Sequence, residues 1–162
     1  MKKMTTTEIT YAGIIAAIYV ALTLLMYEIS FSNAQIRISE MLTILPIFTP
    51  AAIPGLFVGC LISNIAGGVS MIDIIVGPIL TLIAALLTRK LRRKPMLAAI
   101  PPILVNAFGV GAILYWAYDL PYWSMVLSIG VGQTIACYGL GTVLIYAMRK
   151  LPFNMFADGI QG

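Results

Sequence analysis

The sequence contains no histidine and few charged residues, and these two shortages exclude much chemistry. Without histidine there is neither an imidazole base nor an imidazole metal ligand. The two cysteines, Cys60 and Cys137, both lie within apolar runs, which argues against a disulfide scaffold or a Cys/His zinc site. Only 10% of the 162 residues are charged, whereas 60% are hydrophobic and the mean hydropathy is +0.99. This composition excludes an ordinary soluble protein.

What the sequence does contain is long runs without any charge. These runs cover residues 9–27, 41–72, 74–88, 95–118 and 120–148. A helix needs about 20 apolar residues to cross the hydrocarbon core of a bilayer. The runs therefore predict an all-α integral membrane protein of the cell membrane, with residues 1–162 forming one transmembrane domain.

The basic residues predict how often the chain crosses the membrane. All of them except Arg37 fall in three short groups, at residues 2–3, 89–94 and 149–150. If each group faces the cytoplasm, an even number of helices separates consecutive groups. We therefore predict six transmembrane helices, four before the middle group and two after it, with both termini cytoplasmic. The predicted helices cover residues 9–27, 36–49, 52–66, 71–88, 95–116 and 122–148.

Prolines divide the second predicted helix from the third. Pro46, Pro50 and Pro54 recur every four residues in a stretch barely longer than one membrane span. Proline disrupts a helix interior and favours extended geometry in the preceding residue. A tight reversal near residues 49–53 is therefore predicted.

Polar side chains within the predicted helices concentrate toward the outer half of the bundle. Ionisable and amide groups are costly in a membrane unless they are paired or face a wet cavity. Their clustering predicts a ligand pocket that opens to the outside and is closed by a loop at residues 28–39. The candidate ligand-binding residues are Arg37, Glu40, Asn64, Asp73, Asn106, Tyr115, Trp116, Trp123 and Gln133.

Each of these candidates except Asp73 also has a structural interpretation. Arg37 and Glu40 are three residues apart and can pair on one helix face. Asn106 can hydrogen-bond to Gln133 across a helix interface, since polar side chains often join membrane helices. The aromatic residues fit an interfacial belt, and Asn64 fits a helix cap.

Asp73 has no basic residue within 15 positions on either side. Its partner must therefore come from elsewhere in the fold or from a ligand.

Small side chains recur at spacings of four in the first helix. Ala12 and Ala16 form one row, and Gly13, Ala17 and Ala21 form a second. Such a surface lets another helix approach closely. It predicts either packing within the bundle or docking of a partner membrane protein.

Several segments together resemble the queuosine-precursor transporter (QueT) family, whose members are substrate-capture S components of energy-coupling factor (ECF) transporters. The resemblance extends along nearly the whole chain. It is carried by residues 35–40 (QIRISE), 53–64 (IPGLFVGCLISN), 73–77 (DIIVG) and 86–88 (LLT), by the pattern Pro101-Pro102-x-x-x-Asn106, and by Tyr122-Trp123.

This resemblance implies an S-component-like bundle of six helices that captures a deazaguanine precursor of the tRNA base queuosine. It also implies a transmembrane coupling protein and two ATPase subunits as partners, docked on the small residues of the first helix. The chain itself contains no G-x-x-x-x-G-K-[ST] phosphate loop, so ATP hydrolysis would belong to a partner. No metal, cofactor or nucleic acid is implied. The family often has an acidic residue where this chain has Gln133, which favours a neutral ligand over a cationic aminomethyl-deazaguanine.

The candidate residues suit a guanine-like base chemically. Glu40 or Asp73 can accept two adjacent N–H donors, while Arg37, Asn106 or Gln133 can donate to a carbonyl oxygen. The three aromatic candidates can stack on a flat ring.

Other classes stay open at this point. They are an S component for another vitamin-sized substrate, a stand-alone small-molecule transporter and a membrane-embedded enzyme. The enzyme is disfavoured because no nucleophile stands beside a base.

Overall fold

The computed structural model describes residues 4–31 and 37–150, and within these two ranges all regular structure is helical. Helices suit apolar runs in a bilayer because each one satisfies its own backbone hydrogen bonds. The prediction of an all-α protein is confirmed for this part of the chain. The predicted closing loop at 28–39 and the predicted helix at 36–49 both include residues that lie outside the described ranges.

The first helix, α1 (Thr6–Leu25), begins before the predicted start at residue 9 because side chains cap its N-terminus. Thr5 Oγ1 accepts a hydrogen bond of 3.3 Å from the backbone N–H of Glu8. Glu8 Oε2 in turn accepts one of 2.7 Å from the backbone N–H of Thr5. This reciprocal capping box satisfies N–H groups that the first turn of a helix otherwise leaves unpaired.

Two short helices follow α1. They are α2 (Tyr27–Ser30) and a 3₁₀ helix (Ile38–Ile47), which stands where a helix over residues 36–49 was predicted. Pro46 lies inside the 3₁₀ helix. At about 2.0 Å of rise per residue, this element is roughly 20 Å long. It is therefore shorter than the roughly 30 Å hydrocarbon core of a bilayer.

The rest of the described chain is almost entirely helical, with tight turns between the long helices. Gly68 and Asp119 adopt left-handed backbone conformations, with φ of 65° and 53°, and end two of these helices. The stretch predicted as one helix over 95–116 has a short helix at its start, and the stretch predicted over 122–148 contains a π-helical segment. The elements are α3 (Ala52–Gly67), α4 (Met71–Lys90), α5 (Pro95–Ala98), α6 (Ile100–Tyr118), α7 (Tyr122–Thr134), the π-helical segment (Ile135–Leu140) and α8 (Gly141–Lys150).

By length and composition, four helical stretches among the described residues can cross a membrane. They are Thr6–Leu25, Met71–Lys90, Pro95–Tyr118 and Tyr122–Lys150. The 3₁₀ helix and α3 are apolar but shorter. Six crossings and cytoplasmic termini therefore stay predictions.

Hydrogen bonds at one end of the bundle join residues that are far apart in sequence. Tyr27 Oη donates to Gly67 O at 3.1 Å, and the backbone N–H of Ser70 donates to Tyr118 Oη at 3.1 Å. The C-terminal ends of α3 and α6 and the N-terminal end of α4 thus meet here. We call this the Gly67 end of the bundle.

The opposite end, which we call the Arg89 end, is joined in the same way. Arg89 Nη1 donates to the carbonyl oxygens of Pro46 and Ile47, at 3.1 and 3.3 Å. Tyr138 Oη donates to Met96 O at 2.8 Å. Together, the contacts at the two ends show that α1, the 3₁₀ helix, α3, α4, α6 and α7 with α8 pass through the bundle in alternating directions.

One row of small residues on α1 packs against α3. A Cβ atom added to Gly55 would lie 2.7 Å from Ala12 O, and one added to Gly59 would lie 3.2 Å from the Cα of Ala16. Glycine at these two positions therefore permits the close approach of the helices. Ala16 is buried and Ala12 is half-buried, so the structure uses this row for packing within the chain.

The second row of small residues on α1 faces outward. Gly13, Ala17 and Ala21 are all exposed, and a Cβ added to Gly13 would meet nothing within 4 Å. All three residues of this row are therefore accessible, and Gly13 has open space beside it.

Candidate ligand site

Four helices and the start of the 3₁₀ helix surround a polar cavity inside the bundle. On α4, α6 and α7 the lining residues are spaced four apart, and residues at this spacing share one helix face. The cleft measures about 320 Å³ to its open mouth, but its interior has room for only about one water molecule. The lining residues are Arg37, Glu40, Cys60, Asp73, Gly77, Thr81, Asn106, Val110, Ile129 and Gln133.

Glu40 is held by two donors from different helices. Tyr19 Oη donates to Glu40 Oε1 at 2.6 Å, and Asn106 Nδ2 donates to Glu40 Oε2 at 2.9 Å. Glu40 is only 2% exposed, so these bonds replace the water that its carboxylate would otherwise bind. No ion pair joins it to Arg37 among the described residues. Asn106 likewise bonds to Glu40 instead of to Gln133.

Arg37 presents an unused donor to the cavity. Its Nε donates to Ser30 O at 3.4 Å, and its guanidinium carbon lies 5.2 Å from the centre of the Phe31 ring. Its Nη2 is buried and has no hydrogen-bond partner within residues 4–31 and 37–150. An arginine side chain is charged at any physiological pH. This nitrogen is therefore a charged donor available to an anionic or carbonyl oxygen.

Asp73 presents an unused acceptor. Asn64 Nδ2 donates to the backbone oxygen of Asp73 at 2.9 Å, which holds the start of α4 against α3. Asp73 Oδ2 and Asn64 Oδ1 are both buried, and neither has a hydrogen-bond partner in the described part of the chain. Buried polar groups in native proteins are normally paired, so unpaired ones need an explanation such as a ligand or an ion.

Gly77 makes room for this arrangement. A Cβ atom at Gly77 would lie 2.8 Å from Asn64 Nδ2 and 3.5 Å from Asp73 Oδ1. The first distance is too short for a real contact, so a side chain here would displace the Asn64 amide. The glycine thus allows the Asn64 side chain to reach α4.

Gln133 lines the cavity two residues before the π-helical segment. Its Oε1 accepts a weak hydrogen bond from Cys137 Sγ at 3.6 Å. Its amide nitrogen is a further donor that a ligand in the cavity can use.

The three aromatic candidates lie elsewhere. Tyr115, Trp116 and Trp123 are 48%, 77% and 70% exposed, and none of them lines the cavity. The ring centre of Trp116 lies 6.0 Å from that of Tyr115, and Tyr122 links Tyr115 to Trp123 at ring-centre distances of 6.4 and 5.2 Å. This aromatic cluster lies on the surface where α6 ends and α7 begins.

Sequence reasoning missed four polar or small residues at the site: Tyr19, Cys60, Gly77 and Thr81. The spacing of Gly77 and Thr81 from Asp73, at four and eight residues along α4, was a usable signal. Tyr19 gave no such signal, because one tyrosine in an apolar run also fits the core. Within residues 4–31 and 37–150, no group of three His, Cys, Asp or Glu side chains is arranged to hold a metal ion.

Residues 9–150 match the profile of a family described as QueT transporter. The chain belongs to the QueT transporter family. One similar protein is the "Queuosine precursor transporter QueT" of Lactococcus lactis subsp. cremoris (strain MG1363), which is 39% identical over 85 residues. That alignment covers 51% of this chain and 50% of the relative, so the chain spans about half the length of the relative it matches. No solved structure matches the chain significantly.

Membership of the QueT family confirms the resemblance drawn from residues 35–40, 53–64 and the other matching segments. Together with the four long apolar helices, it identifies a multi-pass membrane protein. The exposed surface agrees with this conclusion, since large apolar side chains such as Leu25 and Leu127 are 77% and 70% exposed.

Proposed function

We propose that this QueT family member captures a deazaguanine precursor of queuosine in the polar cavity and passes it to a separate ATP-driven module. The printed name of the Lactococcus relative supports the ligand class. The absence of a phosphate-binding loop from the sequence supports a separate source of energy.

One observation carries the proposal: Arg37 and Asp73 line the same cavity, and Arg37 Nη2 and Asp73 Oδ2 are both buried without a hydrogen-bond partner among the described residues. A guanine-like base presents a carbonyl oxygen beside adjacent N–H donors. Asp73 can accept from the N–H groups, and Arg37 can donate to the oxygen. A ligand of this kind would satisfy both groups at once.

The other cavity residues have supporting roles in this proposal. Glu40, Asn106 and Gln133 provide further acceptors and donors around the base. Asn64 does not line the cavity; it holds the backbone of Asp73 through its side-chain amide. Because the interior has room for only about one water molecule, the lining side chains must separate to admit a base.

Tyr115, Trp116 and Trp123 take a different role from base stacking. Their exposure at the end of the bundle fits an aromatic belt at the surface of the bilayer. We assign them to that interface.

For the topology, we propose six crossings with the Arg89 end in the cytoplasm. The basic residues at 89–94 lie at this end and fit the excess of positive charge on cytoplasmic loops. The 3₁₀ helix and α3 would then complete the bundle despite their short lengths. The Gly67 end, with Arg37 and Asp73 nearby, would open to the outside.

The exposed row on α1 is the proposed docking surface for the ECF coupling protein. Gly13, Ala17 and Ala21 allow a helix of a partner to approach closely, whereas Ala12 and Ala16 are engaged with α3. The two ATPase subunits would act through that coupling protein.

Calorimetric titration of the detergent-purified chain tests this proposal. We would titrate aminomethyl-deazaguanine, its cyano relative, queuine, guanine and adenine in parallel. The proposal expects at least one deazaguanine to bind about tenfold or more tightly than adenine. If none of the deazaguanines binds, or if adenine binds equally well, capture of a queuosine precursor is wrong.

A further inference from the structure

We propose that Tyr19 is a positioning residue, which fixes the carboxylate of Glu40 for ligand binding without touching the ligand. This inference rests on the proposed function, because it takes the polar cavity to be the ligand site. Glu40 lines that cavity, whereas Tyr19 stands behind it on α1.

The geometry of the Tyr19 bond is that of a strong interaction. Tyr19 Oη donates to Glu40 Oε1 at 2.6 Å, and Tyr19 is 0% exposed. Hydrogen bonds from a hydroxyl to a carboxylate have this short length and are about twice as strong as neutral ones. No water competes for the bond at such a depth.

The two donors to Glu40 come from different helices. Tyr19 belongs to α1 and Asn106 to α6, and each donates to a different carboxylate oxygen. Together they set both the position and the rotation of the carboxylate plane. A carboxylate has about four acceptor sites in all, so free lone pairs remain for donors of a ligand.

Tyr19 is itself held in place from two directions. A Cβ atom at Gly59 would lie 2.9 Å from the Cβ of Tyr19, so the missing side chain lets α3 pack directly against this residue. Thr23 Oγ1 bonds to Tyr19 O at 2.8 Å and to Ser39 Oγ at 2.7 Å. The second bond joins α1 to the 3₁₀ helix that carries Glu40.

The contact affects ligand binding because the glutamate side chain is long and flexible. Glu40 has three rotatable bonds, and a ligand that bound a mobile carboxylate would lose affinity to the ordering of that side chain. Fixing the carboxylate before the ligand arrives removes this cost. The hydroxyl of Tyr19 is therefore expected to affect affinity through its bond to Glu40.

The test compares Tyr19→Phe with the wild-type chain by calorimetric titration of aminomethyl-deazaguanine, its cyano relative and queuine. This variant keeps the ring that packs on Gly59 and removes only the hydroxyl. We expect affinity for the bound probe to fall about tenfold. Tyr146→Phe is the matched control, because Tyr146 is exposed on α8 and distant in sequence from every cavity residue.

A double-mutant cycle shows whether Tyr19 acts through Glu40. In a Glu40→Gln background the acceptor is neutral, so the effect of Tyr19→Phe should shrink from about tenfold to about threefold. A tyrosine with only a structural role would weaken binding by the same factor in both backgrounds. Thermal unfolding of each variant shows that the titrated protein is folded.

The possible failures are distinguishable. If the wild-type chain binds a probe and Tyr19→Phe binds it equally well, the positioning role is wrong and the capture function stands. Equal losses in both backgrounds also overturn the positioning role. If the wild-type chain binds none of the probes, the proposed function fails and the role of Tyr19 fails with it.

Discussion

The side-chain amide of Asn64 donates a hydrogen bond of 2.9 Å to the backbone oxygen of Asp73 and so joins α3 to α4 near the Gly67 end of the bundle. The bond engages the backbone of Asp73 and leaves its carboxylate free. Asp73 Oδ2 therefore remains available in the cavity, while the residue that carries it is fixed.

Loss of this amide should destabilise the fold. Asn64→Ala would remove the hydrogen bond that joins α3 to α4, at a cost of roughly 0.5–1.5 kcal/mol. Ser63→Ala is a matched control on the same helix, since the Ser63 hydroxyl is buried but has no hydrogen-bond partner among the residues that the structure describes. Thermal unfolding in detergent should show a lower Tm for Asn64→Ala and little change for Ser63→Ala. Equal effects would contradict the assigned role of Asn64.

A side chain at Gly77 should disturb the same contact from the other helix. The Cβ atom of Gly77→Ala would lie 2.8 Å from Asn64 Nδ2, so the amide must move away from Asp73. We expect a lower Tm. We also expect ligand affinity to fall about tenfold, because Asp73 is displaced. Gly139→Ala is the control, because a Cβ there meets nothing within 4 Å. A Gly77→Ala protein that matches this control in both measurements would refute the close approach.

The charge of Asp73 should be needed for affinity. Asp73→Asn keeps the shape of the side chain but replaces one acceptor oxygen by a donor, so the contact with ligand N–H groups is lost. We expect ligand affinity to fall about 10- to 100-fold, since hydrogen bonds to charged groups contribute roughly 1.5–3 kcal/mol.

Asp119→Asn is the matched control for the change at Asp73. Asp119 is exposed and has a φ of 53°, a left-handed conformation that asparagine also tolerates. Titration of both variants should show a loss of ligand affinity for Asp73→Asn and none for Asp119→Asn. Unchanged affinity in Asp73→Asn would remove Asp73 from the ligand site.

Docking should be separable from ligand capture. Ala17→Leu adds bulk to the exposed row on α1, which should prevent close approach of a partner helix and spare the cavity. Ala66→Leu is the control, because Ala66 is also exposed but lies at the Gly67 end.

The two alanine variants should be compared by calorimetry, by co-purification with the proposed ECF module and by cellular uptake. We expect Ala17→Leu to bind ligand normally, but to stop co-purifying with the module and to lose most cellular uptake. Ala66→Leu should keep ligand binding, co-purification and uptake. Normal uptake by Ala17→Leu would show that this row is not the docking surface.

Several features of the cavity could be predicted from sequence because a membrane makes polar residues conspicuous. Five polar residues stand out as costly groups in apolar surroundings, and all of them line one cavity: Arg37, Glu40, Asp73, Asn106 and Gln133. Because each of these groups is costly to bury alone in a membrane, they are expected to cluster.

Other features could not be predicted from the sequence pattern. Tyr19 is apolar over most of its surface, so its hydroxyl bond to Glu40 depends on tertiary contacts that no periodicity encodes. Trp116 and Trp123 fit both a stacking role and an interfacial belt, and only their exposure distinguishes the two. The prolines near residue 46 indicated a break, but they did not indicate a 3₁₀ helix.

The most direct measurement compares deazaguanine with its analogue that lacks the exocyclic amino group, in the wild-type chain and in Asp73→Asn. The account predicts that the wild-type chain prefers deazaguanine by about tenfold or more, because the analogue leaves a buried carboxylate oxygen unpaired. The preference should largely disappear in Asp73→Asn. Equal binding of the two bases by the wild-type chain would contradict recognition of the base edge by Asp73.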